Sequence, residues 1–314
     1  MPRVAFLGTP AAAVPVLRAL AQAVPVAAAF CNPDKPQGRG RRLEAPPVKA
    51  AALDLGIPVH QPATWKDPEA RDRWRSLAVD LAVVVAYGHI LPRWMLDSCA
   101  LGAWNLHFSI LPRWRGAAPV NHAILAGDPE TGVALMRLSP GMDEGPVLAQ
   151  TRRPIGPADT APRLLEALAQ DAADLLRSHL GALLDGSARP VAQAGVPTLA
   201  PKLHRERAAL DPRRPAPDLH RQVRALQPWP GTEVMLDGAP LKVCGVGGLR
   251  PAQDPAGILR WDRQGAELAC GDGQALELTH LQRPGKPVQP ALQALQPLGG
   301  SGTRTLLPVD LPLD

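Results

Sequence analysis

Cysteine is scarce in this chain, and none of it is arranged for chemistry. The four thiols, Cys31, Cys99, Cys244 and Cys270, are widely scattered and never form a C-x-x-C pair. Neither a zinc site nor a disulfide framework is indicated, and a reducing compartment fits. Long apolar runs are missing as well. The alanine-rich stretch 11–29 is broken by Pro15, Arg18 and Pro25, so no segment qualifies as a membrane span. The first residues enter a short strand directly, without the longer apolar region and cleavage site of a signal peptide, and a cytoplasmic location is expected. Glycine is absent where a dinucleotide fold would need it. Gly8 is the only glycine before Gly38, so there is no G-x-G-x-x-G fingerprint and tight pyrophosphate binding at the first turn is not expected. The histidines show no H-E-x-x-H or comparable spacing, and no metal is expected. Ser109 lacks the G-x-S-x-G elbow of a serine hydrolase.

What is present is a chain of 314 residues, 46% hydrophobic and 20% charged, long enough for two domains and apolar enough to bury a core. A formal charge of +5 and a pI of about 9.3 favour an anionic partner without identifying one. Strand patterns at 4–7, 24–30, 57–60, 81–86, 103–107 and 133–138 alternate with helical patterns at 11–22, 48–55, 68–75 and 119–126. That alternation predicts an α/β class, a doubly wound and mostly parallel sheet. Residues 160–184 read as one long helix, with Leu164, Leu165, Leu168, Leu175, Leu176 and Leu183 on its apolar stripe and Gly186 after its end. Composition then changes: Pro190, Pro197 and Pro201 interrupt a stretch with no helical stripe, which reads as a linker. Beyond a helix at 218–226, short apolar runs are separated by turn signals at Asp237-Gly238, Gly247-Gly248 and Gly271-Asp272-Gly273, a pattern that suggests a small β-barrel. The expected division is a Rossmann-like domain over 1–188, a linker over 189–207 and a barrel domain over 208–314.

Chemistry concentrates in the stretch from Asn105 to Gly116. Side chains alternate along a strand, so Asn105 and His107 share a face, placing an amide donor beside a group able to move protons near neutral pH. Pro112 and Gly116 then bracket a turn carrying Arg113 and Arg115, at the strand end where open α/β sheets bind ligands. Alone, Asn-x-His is more often structural. A second signal raises its weight: Ser139 to Pro146 puts Asp143 in a glycine-bounded loop after another apolar run, and Asn, His and Asp on neighbouring loops make an acyl-transfer constellation.

Two basic regions stand apart. Between Cys31 and Pro47 lies a loop rich in Pro and Gly, carrying Lys35, Arg39, Arg41 and Arg42 against Asp34 and Glu44. It is too long for a simple connection, so it is either functional or a solvated basic loop. At the entry to the tail Lys202, Arg205, Arg207, Arg213, Arg214, Arg221 and Arg224 cluster. They read either as a solubilising surface or as a phosphate-backbone contact.

The runs HFSILPRWRGAAP (107–119), GMDEGP (141–146) and NPDKPQGRG (32–40), with the opening VAFLGTP (4–10), resemble the methionyl-tRNA formyltransferase family over nearly the whole chain. The resemblance implies an OB-like fold for the barrel and catalytic roles for Asn105, His107 and Asp143. It implies 10-formyltetrahydrofolate as formyl donor and initiator methionyl-tRNA as acceptor, with no membrane partner; a monomer is expected. On this view Asn105 donates to the developing oxyanion, His107 moves protons and Asp143 orients and stabilises the imidazole. The family places folate against the segments holding Tyr87, Ile90, Leu91, Ser109, Ile110, Leu111 and Pro112, although packing alone also accounts for Tyr87, Ile90 and Leu91. The basic loop, with Arg39, Arg41 and Arg42, is implied to reach the acceptor stem, and Lys202 and Arg205 to assist at the tail. Three positions depart from the family pattern: Ile110 for Leu, Glu144 for Thr beside Asp143, and Pro212 for Trp. A formyltransferase acting on a small amine, a folate hydrolase and a non-catalytic RNA-binding protein are the competing readings. The loop and tail argue against the first two, and the intact Asn, His and Asp set against the last.

Overall fold

Runs such as Val4-Ala5-Phe6-Leu7 and Leu81-Ala82-Val83-Val84-Val85 are apolar at successive positions. A strand of that kind must be covered on both faces, the condition of a parallel sheet interior. The structure is a computed structural model that describes residues 1–37 and 42–309, with the side chains of Gln37 and Arg42 outside the description. The described chain divides into two compact units. One comprises Met1–Pro119, Glu130–Pro154 and Leu165–Ala200, the other Val120–Pro129, Ile155–Leu164 and Pro201–Asp314.

The first unit is built on strands β1 (Val4–Gly8), β2 (Val26–Phe30), the hairpin β3 (Lys35–Gln37) and β4 (Arg42–Glu44), β5 (Val59–His60), β6 (Leu81–Val85), β7 (Gly102–His107), β8 (Arg115–Gly116), β9 (Glu130–Thr131), β10 (Ala134–Arg137), β11 (Val147–Gln150), β12 (Arg153–Pro154) and β13 (Leu199–Ala200). The main sheet has the order β11-β10-β7-β6-β1-β2-β5. From β7 to β5 all neighbours are parallel, while β10 runs antiparallel to β7 and β11 antiparallel to β10. The winding reverses beside β1, which makes the carboxyl ends of β1, β6 and β7 the natural ligand side. The expected mostly parallel, doubly wound sheet is therefore present, with an antiparallel hairpin at one edge.

Both faces are covered. Ala5, Leu7, Ala28, Phe30, Ala82 and Val84 pack with Trp65, Trp74 and Met95 on one side, while Val4, Phe6, Leu81, Val83 and Val85 are 0% exposed on the other. Trp74 lies on a helix whose start is fixed by Pro68 in its first turn and by Asp67, whose side chain accepts from Glu69 N. Its ring stacks at an angle on Phe30, centroids 5.4 Å apart, and its Nε1 donates to Ser98 Oγ at 2.9 Å. The long helix spans Ala161–Leu184, as its apolar stripe predicts. Among the described residues no helix is long and apolar enough to cross a membrane.

In the second unit strands β14 (Glu233–Leu236), β15 (Ala239–Pro251), β16 (Ile258–Asp262), β17 (Gly265–Ala269), β18 (Gln274–Gln282), β19 (Gln289–Pro290) and β20 (Gly302–Pro308) take the order β15-β14-β20-β16-β17-β18-β19. An additional β15–β18 pairing closes the sheet into the expected OB-like barrel. Asp237-Gly238 does form the β14–β15 turn, with φ of 49° and 78°. Gly247-Gly248, expected as a turn, instead lies inside β15, where the pairing with β18 slips register between Val246 and Leu249. This is a bulge, held by Gly248 N donating to Glu277 Oε2 at 3.0 Å, and glycine signals a bulge as readily as a turn. The segment expected as linker, 189–207, changes unit at residue 200, and its first part is hydrogen-bonded rather than free.

Replacing Trp74 by Ala removes the centre of the aromatic cluster and should cost about 3–5 kcal/mol. Urea unfolding followed at equilibrium measures it, and a cost below about 1 kcal/mol would mean that the cluster is not the support of this face.

Candidate functional site at the end of strand β7

Strand alternation sets the site. Trp104 and Leu106 are buried on one face of β7, and Asn105 and His107 occupy the other. His107 is only 6% exposed, whereas Asn105 is half-buried and no hydrogen bond among the described residues engages its side chain. Past His107 the chain turns sharply. Ser109 N donates to His107 O at 2.9 Å, and Ser109 Oγ donates to Arg113 O at 2.6 Å. Trp114 adopts φ of 63°. The turn thereby returns the Trp114 carbonyl oxygen to within 2.8 Å of His107 Nε2.

A carbonyl oxygen only accepts, so Nε2 carries a proton and the neutral ring keeps its lone pair on Nδ1. Nδ1 faces Asp143 Oδ2 at 3.6 Å, longer than a hydrogen bond but close enough for charge attraction once Nδ1 is protonated. The group that orients the imidazole by hydrogen bonding is thus the Trp114 carbonyl. Asp143 spends its bond on Gly116 N, which donates to Oδ2 at 2.8 Å. Chemically, this arrangement presents a proton acceptor with a carboxylate beside the accepting nitrogen, on the same strand face as an amide donor.

Asp143 sits in the connection between β10 and β11, with φ of 51°. Two close approaches shape that loop. A Cβ on Gly145 would lie 1.9 Å from Arg137 O, and one on Gly141 would lie 1.9 Å from Glu144 Oε1. The second carboxylate expected beside Asp143 therefore folds over Gly141, and the Glu144 side chain is exposed.

Sequence reasoning missed the residues that join these loops. Residues 191–200 run as a strap across them. Val191 and Val147 exchange backbone hydrogen bonds of 2.8 Å, and β13 pairs in parallel with β8. Thr198 Oγ1 accepts from Trp114 N at 2.9 Å, and its carbonyl accepts from Arg115 N at 2.9 Å. Gln193 Oε1 accepts from Arg115 Nε and Nη2 at 3.1 and 2.7 Å, while its Nε2 donates to Asp143 O and Gly145 O at 2.7 and 2.8 Å. Nothing in a stretch read for its prolines distinguished Gln193 or Thr198.

The expected folate residues separate into kinds. Tyr87 and Leu91 lie in the aromatic core with Trp65 and Met95, and burial drives the Tyr87 phenol well above its ordinary pKa. Leu111 packs with Ala134 and Met136, and Ser109 is fully buried. Ile110 and Pro112 are half-buried, and the Pro112 carbonyl accepts from Thr198 N at 3.3 Å. Ile90 stands 85% exposed in the loop after β6. Of the expected acceptor contacts, Arg39 and Arg41 lie outside the described residues and Arg42 is described only as backbone of β4. The chain just before β3 is anchored by Lys49 Nζ on Asp34, at 2.7 and 2.9 Å, with Gln61 Nε2 donating to Asp34 Oδ1 at 2.7 Å. These bonds hold the Asp34 carboxyl below its usual range. Lys202 is exposed, and so is Arg205, 3.9 Å from Glu233. Other members of the tail's basic cluster already have partners within the fold, Arg213 at the surface and Arg224 in the interior. Arg213 is paired with Asp211, Arg221 with Asp218, and buried Arg224 donates to Asp159 O at 2.8 Å. Among the described residues no group of three or more His, Cys, Asp or Glu side chains is placed to hold a metal ion.

A mostly parallel sheet bearing Asn and His at one strand end, with Asp on a neighbouring loop and an OB-like barrel after it, defines a class. Residues 2–180 match the Formyl transferase family, and residues 202–298 match its C-terminal domain. The N-formyltransferase from Helicobacter canadensis, crystallised with folinic acid and dTDP-3-aminofucose, shares the fold with a TM-score of 0.68 at 16% identity, over 88% of this chain and 99% of that one. Within the class, a methionyl-tRNA formyltransferase of Xanthomonas axonopodis pv. citri (strain 306) is 49% identical over 288 residues, 90% of this chain and 93% of that protein. One from Xylella fastidiosa (strain M12) is 46% identical over 289 residues, again 90% and 93%. The chain belongs to the methionyl-tRNA formyltransferase family.

Imidazole 15N shifts at a pH where His107 is neutral should show the proton on Nε2; a proton on Nδ1 would remove Trp114 O as its acceptor. Gly145→Ala should lower stability by about 1–3 kcal/mol, the range for an intruding methyl group, because the obstructing atom is backbone. Thermal melting checks it, and an unchanged melting temperature would mean that the loop yields freely.

Proposed function

We infer that this protein transfers the formyl group of 10-formyltetrahydrofolate to the α-amino group of methionyl-initiator tRNA, giving N-formylmethionyl-tRNA for translation initiation. The observation that carries the reading is the His107 ring, its Nε2 proton occupied by Trp114 O and its Nδ1 lone pair facing Asp143, in a chain of this family. The donor supplies a formyl carbon that becomes tetrahedral as the amine adds, and the bond to the folate nitrogen then breaks. Asn105, with its side chain free of other hydrogen bonds among the described residues, donates to the oxygen that becomes negative. Such a donor contributes about 3 kcal/mol in comparable sites. His107 takes the amine proton at Nδ1. The Asp143 carboxylate stabilises the resulting imidazolium, and the proton leaves with the folate nitrogen.

The residues fit a flat, partly apolar donor. Ile90 offers exposed apolar surface after β6, next to β7 in the sheet, and a stacked ring covers such a side chain favourably. The acceptor is a polyanion. Arg39, Arg41 and Arg42 of the hairpin region and Lys202 and Arg205 of the second unit are suited to its phosphates, with an affinity that falls as salt rises. The protein is read as a cytoplasmic monomer.

Purified protein given 10-formyltetrahydrofolate and charged initiator tRNA should yield formylated aminoacyl ester; no product would overturn the reading. Asn105→Ala, His107→Ala and Asp143→Ala should each lower kcat by about 100-fold or more while leaving the protein folded. A variant with turnover near that of the wild type would remove its residue from the mechanism.

A further inference from the structure

We propose that Gln193 is a positioning residue for formyl transfer: its side-chain amide clamps the Asp143 loop to the turn that holds His107. The two groups facing the imidazole come from residues in left-handed backbone, Trp114 with φ of 63° and Asp143 with φ of 51°. Such conformations cost free energy and persist only where the surroundings over-determine them. Thr198 supplies that support for Trp114 and Arg115 through the bonds to their amides. For Asp143 the support is Gln193, which grips the carbonyls of Asp143 and Gly145, one on each side of Glu144, with both hydrogens of its amide. The same side chain is held in turn by Arg115, two hydrogen bonds to its oxygen fixing which way the amide faces.

All four bonds lie between 2.7 and 3.1 Å. They join three segments that are distant in sequence, and one of those carries the Gly116 N–H that Asp143 Oδ2 accepts. Gln193 therefore touches no reacting atom, yet it sets where the carboxylate stands relative to Nδ1. Misplacing a catalytic group by about 1 Å costs on the order of 100-fold in rate. Turnover rather than folate affinity should therefore register its loss.

The proposal rests on the formyl-transfer reading, and one assay separates the two. Absence of product from wild-type protein defeats that reading; equal turnover from wild type and variants defeats this proposal. Gln193→Met keeps the length of the side chain and removes every hydrogen bond. Gln193→Glu keeps an acceptor for Arg115, so the strap stays anchored, but it loses both donors and sets a carboxylate against two carbonyl oxygens. Each should lower kcat by roughly 10- to 100-fold with folate KM changed less than about twofold. In an Asp143→Asn background, Gln193→Met should lower kcat by less than about twofold further, because residues acting as one unit are not additive. If Gln193→Met melts too early to assay, Gln193→Glu alone decides. A Glu variant with wild-type kcat, or losses that multiply in the double variant, would overturn the proposal.

Discussion

A carbonyl oxygen has no proton to give, and much of the site depends on that asymmetry. Once Trp114 O lies against Nε2 of His107, only one neutral tautomer satisfies both groups, and the basic lone pair has to face Asp143. No charged group is needed to make this choice. In the proposed reaction the carboxylate is consequently released from orienting the ring and acts through its charge, at a separation that leaves Nδ1 accessible to an incoming proton. The sheet contributes by presenting His107 and Asn105 on one face, so a single strand positions both the hydrogen-bond donor and the proton acceptor.

This arrangement requires backbone that local preference does not favour. Trp114 and Asp143 are held in left-handed conformations by a parallel pairing of β8 with β13 and by amide contacts from the strap. The neighbouring glycines serve the same end: Gly145 permits the loop to pass against Arg137 O, and a side chain at Gly116 would strike Ala200 O. Rigidity at the site is thus obtained from main-chain pairing and one half-buried side-chain amide network rather than from ion pairs, which solvent and salt would screen.

The sheet was legible because its signal is periodicity. Both-faces-apolar runs and the helices between them gave the winding, and alternation alone placed Asn105 and His107 together. The barrel was legible from its turns, with one instructive exception at Gly247-Gly248, where the same residue type relieves crowding beside Glu277 inside a strand. Charge was a poorer guide. Seven basic residues near the tail entry looked like one surface, yet Arg224 is buried against carbonyls and Arg221 is paired with Asp218. Net composition counts charges without knowing which are already neutralised inside the fold. Gln193 was illegible for a related reason: its importance comes from hydrogen bonds to main-chain atoms, and carbonyl groups are identical at every position of a sequence.

The strap also determines where this molecule can be cut and rejoined. It lies between the regions matched to the two family descriptions, 2–180 and 202–298, so it is easily treated as a disposable connector. A chimera spliced at the end of Ala161–Leu184 would import a foreign strap along with the foreign barrel, and the graft would have to supply its own equivalents of Gln193 and Thr198. A splice after Ala200 leaves the native strap with the loops it fastens. Recombination in this family, natural or engineered, is on these grounds expected to tolerate crossovers after the strap better than crossovers before it.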